Sequence, residues 1–235
     1  MPFEKHPGVV LLRFSLAAVV LAVTSDGLAL AAEARAPEEN RWEPKIRQFE
    51  EQDKKEMPPA GGILFVGSSS IVGWKVDECF PGLPVINRGF GGSQVADSVH
   101  FADRIVLPYR PKIIVLYAGD NDVAAGKSPE QVLRDYRQFV EKVHDGLPET
   151  RIVFVAIKPS IRRWNLVDKM REANRLIRAA AEKDERLVYV DIDGPMIGDD
   201  GKPRPELFKR DGLHLNAEGY KLWSARLLPH LTLDQ

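Results

Sequence analysis

Short apolar runs recur along the chain at residues 63–66, 84–86, 113–117, 152–157 and 187–190. They are continuous rather than alternating, the pattern of strands buried on both faces. Between them lie segments whose apolar residues return at helical spacing. Trp42, Ile46 and Phe49 mark one such segment over residues 38–57, broken by Pro58, Pro59, Gly61 and Gly62. Val95, Val99, Ala102 and Val106 mark a second over 95–106. A third covers 129–147, with Ser128 placed as N-cap and Pro129 at the first helical position. Residues 165–182 and 217–228 complete the set. Strands alternating with helices predict parallel βαβ units. The predicted fold is therefore α/β, a three-layer α/β/α sandwich around a central parallel five-stranded sheet.

In such a sheet ligands gather beyond the carboxyl ends of the strands. Four polar or glycine-rich stretches fall on that side: Gly67-Ser68-Ser69-Ser70, the segment from Asn87 through Gly89, Gly91 and Gly92 to Ser93, Gly119-Asp120-Asn121-Asp122, and Asp211-Gly212-Leu213-His214. Together they hold the parts of an acyl-transfer site. Ser69 offers a hydroxyl that needs a neighbouring base to attack. Of the five histidines, only His214 sits in a loop with an acid three residues earlier. Asp211 can accept its Nδ1–H and leave Nε2 free to take the serine proton. Gly92 N–H, the Asn121 side-chain amide and Ser69 N–H are the candidate oxyanion donors. Ser68 and Ser70 stay open as alternative nucleophiles. A polar helix cap is the plain reading of the serine run, and an ordinary turn that of the glycines. The glycine stretch is not a dinucleotide fingerprint, because its sixth position is Gln94.

The four stretches, in this order from about residue 63 to 214, resemble the blocks of the SGNH hydrolase superfamily, also called GDSL esterases and lipases. The Asn-x-Gly-x-Gly-Gly pattern at Asn87 to Gly92 is most similar to the platelet-activating-factor acetylhydrolase-like branch. The resemblance implies a flavodoxin-like sandwich and a metal-independent serine esterase with no cofactor. It implies Ser69 as nucleophile and oxyanion donor, Gly92 and Asn121 as the other donors, His214 as base and Asp211 as its orienting acid. Ser68 stands where the family usually has Asp.

The loop 158–164 follows the fourth predicted strand and so belongs to the active face, as does Arg88 beside the glycine stretch. Arg88, Arg163 and Trp164 are candidate substrate contacts that would favour an acidic or phosphorylated ester. A solvated basic loop is the plainer reading. No long apolar lid is evident, which favours short acyl groups.

Composition narrows the partners. A net charge of −1 gives no reason to expect nucleic acid, and the expected partner is a small-molecule, glycan or lipid ester. Cys79 is the sole cysteine, so no internal disulfide forms. Lys5, His6 and Arg13, then an apolar stretch over 14–23 and small residues to Ala31 and Ala36, read as an export signal. The stretch is too short to leave an integral membrane span in the mature chain. The expected division is a signal peptide over 1–36, a helix and linker over 37–60, and a hydrolase domain over 61–235, in a periplasmic or secreted protein. Two competing readings carry less. Asp191-Ile192-Asp193-Gly194 after a strand resembles the phosphatase signature of the HAD family, but too little chain follows for its remaining motifs. A non-catalytic carbohydrate- or cell-wall-binding module on the same fold would suit export, Trp74 and Trp164, yet binding alone does not require all four stretches.

Overall fold

A computed structural model describes residues 40–233, so the expected export signal lies outside the described residues. Five parallel strands, β1 (Ile63–Gly67), β2 (Val85–Gly89), β3 (Ile113–Tyr117), β4 (Arg151–Val155) and β5 (Leu187–Val190), form one sheet in the order β2-β1-β3-β4-β5. The apolar runs become strands because each side chain meets a helical layer. Leu64 and Val66 face one core, and Ile63 and Phe65 the other.

The first layer holds α1 (Glu43–Lys55), α4 (Val95–His100), α5 (Ala102–Ile105), α7 (Pro129–Gly146) and α8 (Val167–Ala181). Ile46, Phe49, Phe101, Phe139 and Ile177 carry its contacts to the sheet. The second holds α2 (Ser69–Val72), α3 (Val76–Cys79) and α9 (Ala217–Leu227), which bury Ile71, Trp74, Phe80 and Trp223. The short α6 (Asp120–Ala124) follows β3. Among the described residues no helix is long and apolar enough to cross a membrane.

Several boundaries differ from the sequence reading, and two of the differences have a clear physical reason. β2 runs on through Asn87 and Arg88, where the apolar signal stops. Both polar side chains are satisfied, Asn87 by the carbonyls of Ile71 and Trp74, Arg88 by Asp53 and Tyr109. The helix expected over 95–106 breaks at Phe101 (φ −95°, ψ 4°), whose ring packs edge-on against Phe90 and His100. The Ser128 cap forms as expected, with Gln131 closing the capping box.

The strand order reverses between β1 and β3. In sheets of this topology ligands bind at that switch point, outside the carboxyl ends. The turns after β1, β2 and β3 therefore converge on one place.

Candidate active site

β1 ends at Gly67, whose φ of +136° and close approach to β3 admit no other residue: a Cβ there would stand 1.9 Å from the Tyr117 carbonyl oxygen. Ser68 N–H donates to that same oxygen at 3.0 Å, and the chain turns into α2 with Ser69 as its first residue. The hydroxyls of Ser68 (0 % exposed) and Ser70 (1 % exposed) are buried without a partner among the described residues. Ser69 is half-buried, and its Oγ lies 3.2 Å from His214 Nε2. Of the three serines, it is the one brought to the histidine. Asn87 steadies α2 from β2, donating from Nδ2 to Ile71 O (2.7 Å) and Trp74 O (3.0 Å) while Oδ1 accepts Gly89 N–H (2.9 Å).

The loop before α9 presents the histidine. Gly212 (φ +62°) lets it turn tightly, and both oxygens of Asp211 are occupied. Oδ1 accepts the N–H groups of Leu213 and His214, each at 2.9 Å, and Oδ2 lies 2.6 Å from His214 Nδ1. The His214 side chain above all, then these backbone donors, holds the Asp211 carboxyl well below the usual carboxylate range. An ionised carboxylate only accepts, so the proton sits on Nδ1 and Nε2 is left as acceptor for the Ser69 hydroxyl.

The donor side comes from the other two turns. Gly92 (φ +78°) belongs to a loop pinned by the segment leading into α1. Trp42 Nε1–H donates to Gly91 O and Arg41 Nη2 to Gly92 O, each at 2.9 Å. A Cβ on Gly91 would stand 4.0 Å from the Ser69 Cβ, so the loop lies directly beside the serine. Asn121, in the first turn of α6, donates from Nδ2 to Ser93 O at 3.0 Å, which ties the β3 turn to the β2 turn. Ser69 N–H, in the first turn of α2, has no intrahelical acceptor.

The structure thus brings together Ser69, Gly92, Asn121, Asp211 and His214. It does not bring Arg88, whose side chain leaves β2 on the face opposite Asn87. There it pairs with Asp53, donates to Tyr109 Oη at 2.6 Å and is buried over the Phe49 ring. Strand alternation is the reason: neighbouring side chains point to opposite faces. Arg163 turns inward, donating to Asp120 Oδ2 and Asn121 Oδ1, each at 3.0 Å. Trp164 is half-buried beneath the cations of Arg171 and Lys202.

Behind Asn121 lies a group that pattern reading missed. Lys158, 1 % exposed, donates to Tyr117 Oη and Asp120 Oδ2, each at 3.0 Å. Burial alone would raise the Asp120 carboxyl, but Lys158 and Arg163 outweigh it and hold the group below its ordinary value. Burial likewise opposes the charge on Lys158, and Asp120 with Tyr117 overcomes it, holding its ammonium above the ordinary value. Lys158 directly follows an apolar run, the only hint in the sequence that it is interior. Asp193, from the phosphatase-like stretch, is instead paired with Arg171 at 2.8 Å.

Comparison with known proteins gives the family. The GDSL-like lipase/acylhydrolase family pattern matches residues 67–222. The α1 subunit of platelet-activating factor acetylhydrolase IB from Bos taurus is 29% identical over 210 residues, 84% of this chain and 87% of that one. A GDSL-like lipase from Bacteroides thetaiotaomicron superposes with a TM-score of 0.69 at 19% identity, over 79% of this chain and 96% of its own. A catalytic mutant of an acetylxylan esterase from Geobacillus stearothermophilus does so at 0.60 and 16%, over 75% and 96%. With a parallel five-stranded sheet, its strand turns meeting at the switch point, and a family match over most of its length, the chain belongs to the GDSL-like lipase/acylhydrolase family.

Proposed function

We propose that the protein is a serine esterase that hydrolyses carboxylic esters of short acyl chains, acetyl esters above all, with no metal or cofactor. The observation that carries this reading is the line Asp211–His214–Ser69, with contacts of 2.6 Å and 3.2 Å. Ser69 Oγ attacks the ester carbonyl carbon while His214 Nε2 takes the hydroxyl proton. The carbonyl oxygen becomes an oxyanion facing Ser69 N–H, Gly92 N–H and the Asn121 amide. Collapse breaks the bond to the alcohol, which leaves with the proton held on His214. Water then attacks the acyl-serine by the same route, releasing the carboxylic acid and restoring Ser69.

His214 supplies the activation that a metal-bound water would otherwise provide, so turnover should continue in chelator. The acetyl preference is supported by two similar proteins, one named an acetylhydrolase and one an acetylxylan esterase. The basic start and apolar stretch support a reading in which the protein is exported to the periplasm or medium, with cleavage near Ala31 or Ala36.

The test is p-nitrophenyl acetate hydrolysis by the leaderless protein and by Ser69→Ala, both in EDTA. Wild-type turnover should fall by at least ~10³-fold in the variant. Turnover retained in Ser69→Ala would refute the assignment. Glycan binding without any turnover would favour the carbohydrate-binding module instead.

A further inference from the structure

Asn121 can serve an oxyanion only if its amide faces the right way. The two orientations of an asparagine amide are nearly isosteric, and only its hydrogen-bond partners choose between them. Here both partners choose the same one. Arg163 Nη2 stands 3.0 Å from Oδ1, and a guanidinium can only donate, so the atom facing it must be the amide oxygen. Ser93 O lies 3.0 Å from Nδ2, and a carbonyl can only accept. One Nδ2 hydrogen goes to Ser93, leaving the second for the site.

Arg163 is itself anchored. Its Nη1 shares Asp120 Oδ2 with Lys158 Nζ, each at 3.0 Å, and Lys158 also holds Tyr117 Oη at 3.0 Å. Two cations and one carboxylate leave a net positive charge directly behind the amide. Asp120 and Lys158 are buried, and in such a setting a fixed charge acts more strongly than in water. The loop that carries Arg163 also reaches the base side of the site. Arg162 N–H donates to Gly212 O at 3.0 Å, and a Cβ on Gly212 would stand 3.1 Å from the Ile161 Cβ.

We propose that Arg163 is a positioning residue of the oxyanion hole: it fixes the Asn121 amide with Nδ2 toward the substrate and polarises that N–H, with Asp120 and Lys158 as its anchor. Its fork-shaped guanidinium suits this role, because one nitrogen meets Asp120 and the other Asn121. A lysine has a single nitrogen on a flexible stem and cannot reproduce that bridge. The inference rests on the serine esterase reading, since it assigns Arg163 a part in that reaction.

The experiment is a double-mutant cycle on the full mature protein, with wild type, Arg163→Met, Asn121→Ala and the double variant assayed on p-nitrophenyl acetate. Arg163→Met leaves Asp120 paired with Lys158, so no carboxylate is stranded, and thermal melts check the fold of each variant. We expect Arg163→Met to lower kcat by ~10–10²-fold, with KM changing by less than about twofold. Arg163→Lys should recover little of the loss. In the Asn121→Ala background the same change should cost no more than about twofold, because its effect passes through the amide. An equal fold-loss in both backgrounds would overturn the proposal. So would a rise in KM with kcat unchanged, which would make Arg163 a substrate contact.

A second readout needs no turnover. The Asn121 side-chain NH₂ resonances, identified by their loss in Asn121→Ala, should shift and exchange faster with water in Arg163→Met. Unchanged resonances would overturn the positioning role even if the enzyme is active. Shifted resonances in a protein without esterase activity would keep the amide-fixing half and refute the esterase reading.

Discussion

Asp211 gives one oxygen to the backbone N–H groups of Leu213 and His214 and the other to His214 Nδ1. The same carboxylate therefore shapes the loop and sets the imidazole tautomer. Replacing it with asparagine keeps the shape and a carbonyl oxygen but removes the charge that stabilises the imidazolium. Asp211→Asn should lower kcat by ~10²–10⁴-fold, with a melting temperature close to wild type. Undiminished turnover would remove Asp211 from the mechanism. The Asp211 carboxyl, held below the usual carboxylate range by the His214 side chain and the two backbone donors, stays ionised well into the acid range. At this scale the sequence was informative where a residue's role follows from its neighbours, as for Asp211 and His214, three positions apart. It does not reveal the partners of Arg88 and Arg163: the basic pattern suggests cations facing a ligand, whereas both pair with buried or half-buried groups supplied by distant segments.

The element that most affects the site without touching the chemistry is α1. Arg104 on α5 bridges to Glu43 and Glu50 at 2.7–2.8 Å, but these groups are partly exposed, and such pairs contribute at most about 1 kcal/mol each. Burial of Ile46 and Phe49 contributes more, roughly 2–3 kcal/mol per side chain. Hydrophobic packing thus fixes α1, and the segment before it reaches the glycine loop. Trp42 packs edge-on against Phe90 at 6.0 Å while its indole N–H holds Gly91 O. Trp42→Phe keeps most of the packing and deletes that donor. Losing one hydrogen bond of about 1 kcal/mol should free the loop and lower kcat by ~3–10-fold. The urea midpoint should barely move, and a kcat equal to wild type would show that Gly92 needs no such brace. The apolar spacing of Trp42, Ile46 and Phe49 marked this helix plainly. Nothing local revealed that its leading residues reach a loop about 50 positions away.

Taken whole, the charge distribution predicts how the fold responds to acid. Arg186 holds the Asp184 carboxyl down to about 2. Glu50 and Asp211 are lowered by Arg104 and His214, and Asp120 is lowered by Lys158 and Arg163 against the burial that opposes them. For each, the folded state binds fewer protons than the unfolded chain near its pKa. The stability contributed is complete above the unfolded value of ~4 and is lost as pH falls through the folded value. Asp97 and Asp122 are raised by burial and act in the opposite sense just above that window, which blunts the onset. The melting temperature should hold between pH ~7 and ~5 and fall steeply below ~4. A protein that grew more stable toward pH 3 would contradict the ion-pair assignments.

The amino-acid sequence by itself determined the βαβ alternation, the parallel sheet and the four stretches that end at its carboxyl edge. Those features are local: apolar runs, caps and tight-turn glycines act within a few residues of themselves. Only the tertiary structure decided which serine meets His214, on which side of the sheet Arg88 lies, and how the Asn121 amide is turned. Each of those outcomes depends on contacts between segments tens of residues apart, or on which face of a strand a side chain takes. The strand order β2-β1-β3-β4-β5 brings those segments to one edge, and packing then fixes the orientations that composition leaves free.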